Sequence, residues 1–350
     1  MKAAGLQGTE HNRQTSQGGK KLNRVGRKLV LGSAIWALGQ AAPVLAQGAA
    51  DNFPTRPITL VVNLSPGASV DIETRLYGIK LSEGLRSQVL VDFKPGGGGM
   101  LGAAYIAKAN PDGHTLLSTS SGYTTAAALY PSLPFDPIND LAPISLMSRV
   151  AYPLLVHPSV PARNLKEYLA FAKANPGAIN FGTSGQAGLP HVLGEWLHSS
   201  TGTKVTFIHY KGGAPAFAAV LSGEVNVAFG GFAAMIGHIR SGKVRAIGVS
   251  TAERSRMIPD TPSIAEQGVP GYDVGAWLGF MAPAKTPVAI INKLSGEFAK
   301  VTRDADVRKK IEGDGGSLIG STPEQFRQLV SAEIVRWKKL GQEVGIQLND

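Results

Sequence analysis

The 350-residue sequence contains no cysteine, which excludes disulfide bonds, thiolate metal sites and cysteine nucleophiles. It also lacks an apolar run of the roughly 20 residues that a membrane-spanning helix needs, since the N-terminal run LVLGSAIWALG is much shorter. Beyond residue 46, no block rich in Lys and Arg suggests nucleic-acid binding. No pair of carboxylates stands out for acid–base catalysis.

The N-terminus has the pattern of an export signal. Residues 1–28 are polar and basic, an apolar run follows, and residues 44–46 (VLA) place small side chains where a signal peptidase requires them. We therefore predict a periplasmic protein whose signal peptide, residues 1–46, is cleaved near Ala46. A membrane anchor is the less favoured alternative because the apolar run is short. Cleavage removes seven basic residues and one acidic residue, which lowers the formal charge from +10 to +4.

A glycine-rich stretch raises the possibility of a nucleotide site. The spacing Gly97-x-Gly99-x-x-Gly102 matches the dinucleotide-binding fingerprint, which also needs an acidic residue about 20 positions further on, after the next strand. The next predicted strand, in HTLLSTSSGY, ends in hydroxyl groups and glycine instead. We therefore expect no nucleotide and no other cofactor. The glycines are expected to turn the chain tightly and to bring the helix from Met100 close to the sheet.

Strand-like runs alternate with glycine-rich loops and helix-like runs, which predicts an α/β fold with parallel-rich sheets and helices on both faces. The length that remains after the signal peptide is natural for two domains. Extended stretches near residues 144–157 and 272–281 interrupt the alternation, and we interpret them as two crossings between domains. The prediction is a two-lobed fold with domain 1 formed by residues 51–150 and 275–350, domain 2 by residues 151–274, and a cleft between them.

Loops rich in glycine and hydroxyl groups follow the predicted strands, at the edge where open parallel sheets bind ligands. Their backbone N–H groups lie at the positive ends of helices and suit an anion, although each loop alone is explained as well by a tight turn. Asp71, four residues before Arg75, is explained by helix capping and a surface ion pair as well as by a ligand role. Together the loops favour an anion-binding cleft in which Lys211 is the clear cation. The six loops are residues 65–69, 95–99, 118–123, 182–188, 210–214 and 230–231.

One loop also suggests an enzyme. Residues 182–186 (GTSGQ) stop one residue short of the G-x-S-x-G nucleophile elbow, because glutamine stands where glycine is needed. His191 or His209 could act as a base beside Ser184, but the sequence places no acidic residue behind either. An exported serine hydrolase using Ser184 is therefore the alternative function. His191 and His198 lack a metal-ligand pattern, so no metal site is expected and both are interpreted as packed or capping residues.

Seven segments in order carry a family resemblance: FPTRPITLVVNLSPGASVD, VDFKPGGGGMLGAAYIAKANPDGHTLL, NDLAPISLMSRVAYPLLVHPSV, INFGTSGQAGLPHVLGEWL, VTFIHYKGGAPAFAAVLSGEVNVAF, RAIGVSTAERS and PDTPSIAEQGVPGYDVGAWLGFMAPAKTP. Their order strongly resembles the Bug family, the substrate-binding proteins of tripartite tricarboxylate transporters. The resemblance implies a periplasmic binding protein, not an enzyme, whose two lobes close over a small organic acid. It also implies that amides and ordered waters hold the ligand carboxylate between two loops, which match residues 66–71 and 183–191.

The sequence departs from the family pattern at four positions. Ala68, Phe93, Asn226 and Lys285 stand where the resemblance leads us to expect Gly, Asn, Asp and Gly. Loss of the acid at Asn226 removes a partner for an amino group, so we expect a di- or tricarboxylate or an aromatic acid as ligand. The expected partners beyond this acid are a membrane permease or a sensor kinase, with no nucleic acid, and the protein is expected to be a monomer. The residues expected to bind the ligand are Ser65, Pro66, Gly67, Ala68, Ser69, Asp71, Thr119, Ser120, Thr183, Ser184, Gly185, Gln186, His191, Lys211, Gly212, Gly213, Gly230 and Trp277.

Overall fold

The computed structural model describes residues 51–64, 66, 69–186, 188–210 and 212–346. The predicted signal peptide lies outside these residues. None of the helices in the described ranges is both long enough and apolar enough to cross a membrane.

The described residues form eleven strands and ten α-helices, which alternate over much of the chain and confirm the predicted α/β class. In chain order, strands β1 to β11 are Ile58–Val62, Val89–Phe93, Thr115–Ser120, Leu141–Val150, Pro153–Val156, Asn180–Thr183, Thr206–His209, Val227–Phe229, Arg245–Val249, Ala276–Pro283 and Gly316–Leu318. In chain order, helices α1 to α10 are Ser69–Leu85, Met100–Ala107, Gly122–Leu129, Leu165–Ala174, Leu189–Thr201, Gly213–Ser222, Phe232–Arg240, Val288–Val301, Ala305–Gly313 and Pro323–Val344. A 3₁₀ turn, Gly97–Gly99, precedes α2.

The strands form two sheets. The first has the order β11-β4-β10-β3-β1-β2 and the second the order β7-β6-β8-β5-β9. Pairing is parallel between β1, β2 and β3 and between β6, β7 and β8, but antiparallel along β4, β10 and β5. The sheets are therefore mixed, not parallel-rich as predicted. The reason is that the chain leaves the first sheet along β4 and returns along β10, so these two neighbours run in opposite directions.

Two crossings connect the sheets side by side. Val150 at the end of β4 pairs with Ala276 at the start of β10, and Pro153 of β5 pairs with Val249 of β9. Ser250 joins the two crossings, because its hydroxyl accepts the Tyr152 N–H at 2.9 Å and donates to the carbonyl of residue 274 at 2.6 Å. The predicted domain boundaries fall within these crossings, while the division into domains stays a prediction.

Helix starts follow the sequence where a capping side chain is present. The Asn164 side chain accepts the Glu167 N–H at the start of α4, and Thr322 and Gln325 form a full capping box at the start of α10. Helix α9 and strand β11 lie between α8 and α10. Asp304 caps α9 by accepting two backbone N–H groups, so the N-cap was a visible signal for that helix.

The core of the second sheet extends into helices that follow the first sheet. Trp337 of α10 is fully buried in the same cluster as Leu193 and Tyr272. The Trp196 ring stacks on Tyr272 with centroids 4.5 Å apart and meets Trp337 edge-on at 5.9 Å. These aromatic contacts join α5 to α10 beside the crossings, so the two sheets share one apolar junction.

Candidate ligand site

The first part of the site is the edge where β1, β2 and β3 end. These strands are parallel neighbours, so the loops that lead to α1, α2 and α3 meet at one edge of the sheet. Ser65, Gly67, Ala68 and the side chain of Ser69 lie outside the described residues, and Pro66 is exposed.

Asn63, the residue after β1, connects all three loops. It is buried, and its Nδ2 donates to the Gly99 carbonyl at 3.2 Å and to Thr119 Oγ1 at 2.9 Å. Its Oδ1 is buried without a hydrogen-bond partner in the described part of the chain. Asn63 was not among the residues predicted to bind the ligand, although an asparagine directly after a buried apolar strand was a usable signal. Asn63 fixes the ends of β1 and β3 and the glycine turn relative to one another.

The glycine fingerprint makes room for this asparagine. Gly99 has φ +94°, and a Cβ added to it would lie 2.5 Å from Asn63 Nδ2. A Cβ on Gly102 would lie 2.7 Å from the Lys94 carbonyl oxygen and 2.8 Å from Asn63 Cβ. The spacing of Gly99 and Gly102 is thus explained by a tight turn and by the close approach of α2 to β1.

The start of α1 is held over the same edge. Thr74 Oγ1 lies 2.6 Å from Ser118 Oγ of β3, with both side chains buried. Asp71, in the first turn, accepts a hydrogen bond from Arg75 Nε at 2.7 Å and is 6% exposed. The Arg75 guanidinium lies over the Phe93 ring, 5.5 Å from its centroid. The predicted ion pair of Asp71 is therefore present, and a direct ligand role for Asp71 stays a prediction.

The second part of the site is the edge where β6, β7 and β8 end. Thr183, the last residue of β6, is buried, and its hydroxyl donates to the Gly185 carbonyl at 3.2 Å. The Tyr210 N–H donates to the Thr183 carbonyl at 3.0 Å, and the Gly212 N–H donates to the Ser184 carbonyl at 3.2 Å. The loops after β6 and β7 are thus joined by backbone hydrogen bonds.

Two glycines of these loops have backbone conformations that side chains rarely adopt. Gly185 has φ +141° and Gly212 has φ +112°, and a Cβ on Gly212 would meet no atom of the described residues within 4 Å. The N-terminus of α5 follows at Leu189, where Gly188 accepts the N–H groups of His191 and Val192. Space, amides and a helix N-terminus thus occur together at this edge.

The remaining predicted residues have different environments. Ser184 and Gly213 are half-buried, and Gln186 is exposed. Gly230 is buried where a Cβ would lie 2.8 Å from a Leu155 methyl carbon. Trp277 is 3% exposed and belongs to the core of the first sheet. Ser120, at the end of β3, is half-buried, and Lys211 lies outside the described residues.

Trp277 is anchored by a buried carboxylate. Its Nε1 donates to Glu333 Oε2 of α10 at 2.9 Å, and Thr124 Oγ1 of α3 donates to the same oxygen at 2.7 Å. Burial raises the pKa of Glu333 above its ordinary value, while the two hydrogen bonds oppose that shift. The hydrogen bonds of Glu333 to Trp277 and Thr124 thus connect the second crossing to α3, the helix that follows β3. Contact of Trp277 with a ligand stays a prediction.

The histidines do not form a catalytic or metal centre with Ser184. His209 Nδ1 lies 2.8 Å from Thr183 Oγ1, and His191 Nε2 lies 3.4 Å from Glu195 Oε1. His198 is a packed core residue, bonded to a tyrosine and a threonine, and burial lowers its pKa to about 4. Within the described ranges, no cluster of three metal-ligating side chains occurs.

The family of the chain follows from comparison with known proteins. Residues 74–346 match the model of the tripartite tricarboxylate transporter family receptor. The chain belongs to this receptor family. The protein BugT of Bordetella pertussis is 33% identical over 321 residues, which cover 91% of this chain and 97% of BugT. A protein from the tcbD-tcbE intergenic region of Pseudomonas sp. strain P51 is 32% identical and covers 94% of this chain and 97% of its own length.

The chain is similar in fold to solved structures, among them the periplasmic binding protein BugD, which has a TM-score of 0.72 and 29% identity and covers 84% of this chain and 99% of its own. The Rhodopseudomonas palustris protein Rpa4515, solved with adipate, has a TM-score of 0.74 and 30% identity and covers 84% of this chain and 99% of its own. MatC from the same species, solved with bound malate, has a TM-score of 0.71 and 29% identity and covers 82% of this chain and 99% of its own. The predicted family and binding-protein fold are confirmed, and the family is one of receptors, not enzymes.

Proposed function

We propose that this receptor captures a small carboxylated organic acid in a cleft between its two sheets, through backbone amides and waters. The observation that carries the proposal is the pair of loops leading to α1 and α5. Each connects a parallel strand to a helix N-terminus, where unpaired N–H groups attract an anion. The similarity to proteins solved with adipate and with malate supports a carboxylate as ligand.

The contact between the two sets of helices supports a shared cleft. Helix α3, which follows β3, contacts α5, which follows β6. The loops that lead from β3 into α3 and from β6 into α5, one from each sheet, therefore end at neighbouring helices. Both crossings run beside the contact between α3 and α5. We propose that these two crossing strands act as the hinge between the lobes, as in binding proteins that close around a ligand. This arrangement supports domain 1 as residues 51–150 with 275–350 and domain 2 as residues 151–274.

The site binds its ligand and performs no reaction on it. A serine hydrolase needs a base hydrogen-bonded to its nucleophile, and His209 is bonded to Thr183 rather than to Ser184. Ser184→Ala should therefore remove no turnover, because the wild-type protein should hydrolyse no ester or amide. We propose that the protein is exported to the periplasm and that its signal peptide is cleaved near Ala46. We propose that the protein acts as a monomer, which delivers its ligand to a membrane permease or presents the ligand to a sensor kinase.

The function is tested by a thermal-shift screen of organic acids, followed by calorimetry. The protein without residues 1–46 is unfolded, dialysed and refolded first, so that no co-purified ligand remains. A ligand at 100 times its Kd adds about 2.7 kcal/mol of stability, which a melting curve detects. We expect one or more di- or tricarboxylates or aromatic acids to stabilise the protein, while matched amides do not. Stabilisation by neutral sugars or nucleotides, with no response to any acid, would overturn the proposal.

A further inference from the structure

His209 lies at the second edge of the site and has no role in the proposed binding of the carboxylate by amides and waters. It is the last residue of β7, the edge strand of the second sheet, and pairs in register with Thr183 of β6. Its side chain is exposed, although it lies beside the loop proposed to hold the carboxylate. It meets the His191 ring edge-on, with centroids 4.6 Å apart.

The hydrogen bonds of Thr183 decide which tautomer the neutral His209 ring adopts. The Thr183 hydroxyl has a single proton, and the Gly185 carbonyl, 3.2 Å from its Oγ1, is within reach as the acceptor. With the proton directed to Gly185, the same Oγ1 accepts from His209 Nδ1, 2.8 Å away. The second ring nitrogen, Nε2, then carries a lone pair when the ring is neutral and an N–H when it is protonated. It makes no hydrogen bond within the part of the chain that the structure describes.

The charged groups around His209 act in opposite directions. Partial burial lowers the pKa of His209, the neighbouring His191 lowers it further, and Glu195 on α5 raises it. The adjacent Tyr210 hydroxyl is bonded to Glu224, and its pKa is raised to about 12, so it stays neutral. His209 is therefore mostly neutral at pH 7 before ligand binds, and an anion placed at Nε2 would favour its protonated form.

We propose that His209 Nε2 is a second recognition point, which binds the end of the ligand distal to the carboxylate held by the amides. With a dicarboxylate, the ring takes up a proton and donates to the distal carboxylate. A monocarboxylic acid of the same chain length leaves Nε2 in solvent and causes no proton uptake. The inference rests on the proposed function and assigns ligand selectivity within that site to one side chain.

The test uses calorimetry with succinate, glutarate and adipate, each beside the monocarboxylic acid of equal length. For the tightest dicarboxylate, binding should be on the order of tenfold tighter at pH 6 than at pH 8, because one pKa unit corresponds to a tenfold change. Repeating the titration in buffers of different ionisation enthalpy should show uptake of a fraction of one proton. The monocarboxylic acids should show neither effect.

Two variants separate recognition from structure. His209→Asn retains a donor toward Thr183 but removes Nε2, so it should fold normally, lose the preference for the dicarboxylate and lose proton uptake. His209→Gln places a neutral amide near the Nε2 position and should retain part of the preference without the pH dependence. If His209→Asn keeps both the preference and the proton uptake, the inference is wrong and the proposed function stands. If the wild-type protein binds neither class of acid, the proposed function fails and the inference fails with it.

Discussion

Gly102→Ala should destabilise the protein, because it adds a methyl group where α2 approaches β1. The new Cβ would lie 2.7 Å from the Lys94 carbonyl oxygen, 2.8 Å from Asn63 Cβ and 3.1 Å from Asn63 Cα. Two of these contacts are with backbone atoms, which cannot rotate away as a flexible side chain would. Helix α2 must therefore shift outward, and the hydrogen bonds of Asn63 to Gly99 and Thr119 must stretch.

The size of the effect follows from two opposing contributions. Overpacking of a closely packed site costs about 1–3 kcal/mol, whereas alanine in place of a helical glycine gains about 0.5–1 kcal/mol. We expect a net loss of about 1–2 kcal/mol in the free energy of unfolding. Urea unfolding followed by circular dichroism measures it as a lower midpoint at an unchanged m-value.

Two helical glycines provide matched controls. At Gly237 of α7 and Gly296 of α8, an added Cβ would meet no atom of another described element within 4 Å. Alanine at either position should stabilise the protein by about 0.5–1 kcal/mol, since only the propensity gain remains. The packing explanation of the fingerprint would be refuted if Gly102→Ala raised the urea midpoint as the two controls do. Stabilisation of the wild type by millimolar NAD, FAD or ATP would refute it independently.

Two further predictions concern the site and its support. Gly185→Val should weaken carboxylate binding by about tenfold or more, because φ +141° costs a β-branched residue about 1–3 kcal/mol. Lys211→Ala should reduce the binding free energy by under about 1 kcal/mol. If calorimetry showed the larger loss of affinity for Lys211→Ala, a salt bridge would hold the anion. Burial raises the folded-state pKa of Glu333, so its contribution to stability is present below its ordinary value of 4.5 and is lost as pH rises through the folded pKa. Glu333→Gln, whose amide oxygen can still accept from Thr124 and Trp277, should therefore gain stability relative to wild type between pH 4.5 and pH 8. Equal differences in urea midpoint at both pH values would contradict this assignment.

The sequence was most informative where local chemistry decides the structure. Thr322 and Asn164 can be recognised as helix starts because a capping oxygen satisfies backbone N–H groups wherever it occurs. The crossings near residues 150 and 275 were visible because extended runs interrupted the alternation of strand and helix. Sheet composition was harder to predict. The antiparallel placement of β10 between β3 and β4 depends on the direction in which the chain returns, and no local pattern encodes that direction.

The site shows the same division. Glycines with positive φ, such as Gly185 and Gly212, were selected from the sequence because few other residues can adopt those conformations. Asn63 was missed because its importance arises from partners 36 and 56 residues away, Gly99 and Thr119. Trp277 was also selected as a ligand contact. Its burial against Glu333 depends on α10, which packs there from the far end of the chain.

The proposed recognition by backbone amides would separate affinity from selectivity in this receptor. A backbone N–H donates to any carboxylate that fits its turn, so the proposed loops after β1 and β6 would provide a general anchor with little preference among acids. Relatives with similar folds were solved with different acids, adipate and malate, which agrees with a common anchor and a variable surrounding surface. In this chain the polar atoms available for discrimination include Asn63 Oδ1, a buried acceptor without a hydrogen-bond partner among the described residues, and His209 Nε2 at the opposite edge. Asn63 Oδ1 can only accept a hydrogen bond, whereas Nε2 of a protonated His209 donates one. The second carboxylate of a diacid should therefore be directed toward His209 and away from Asn63.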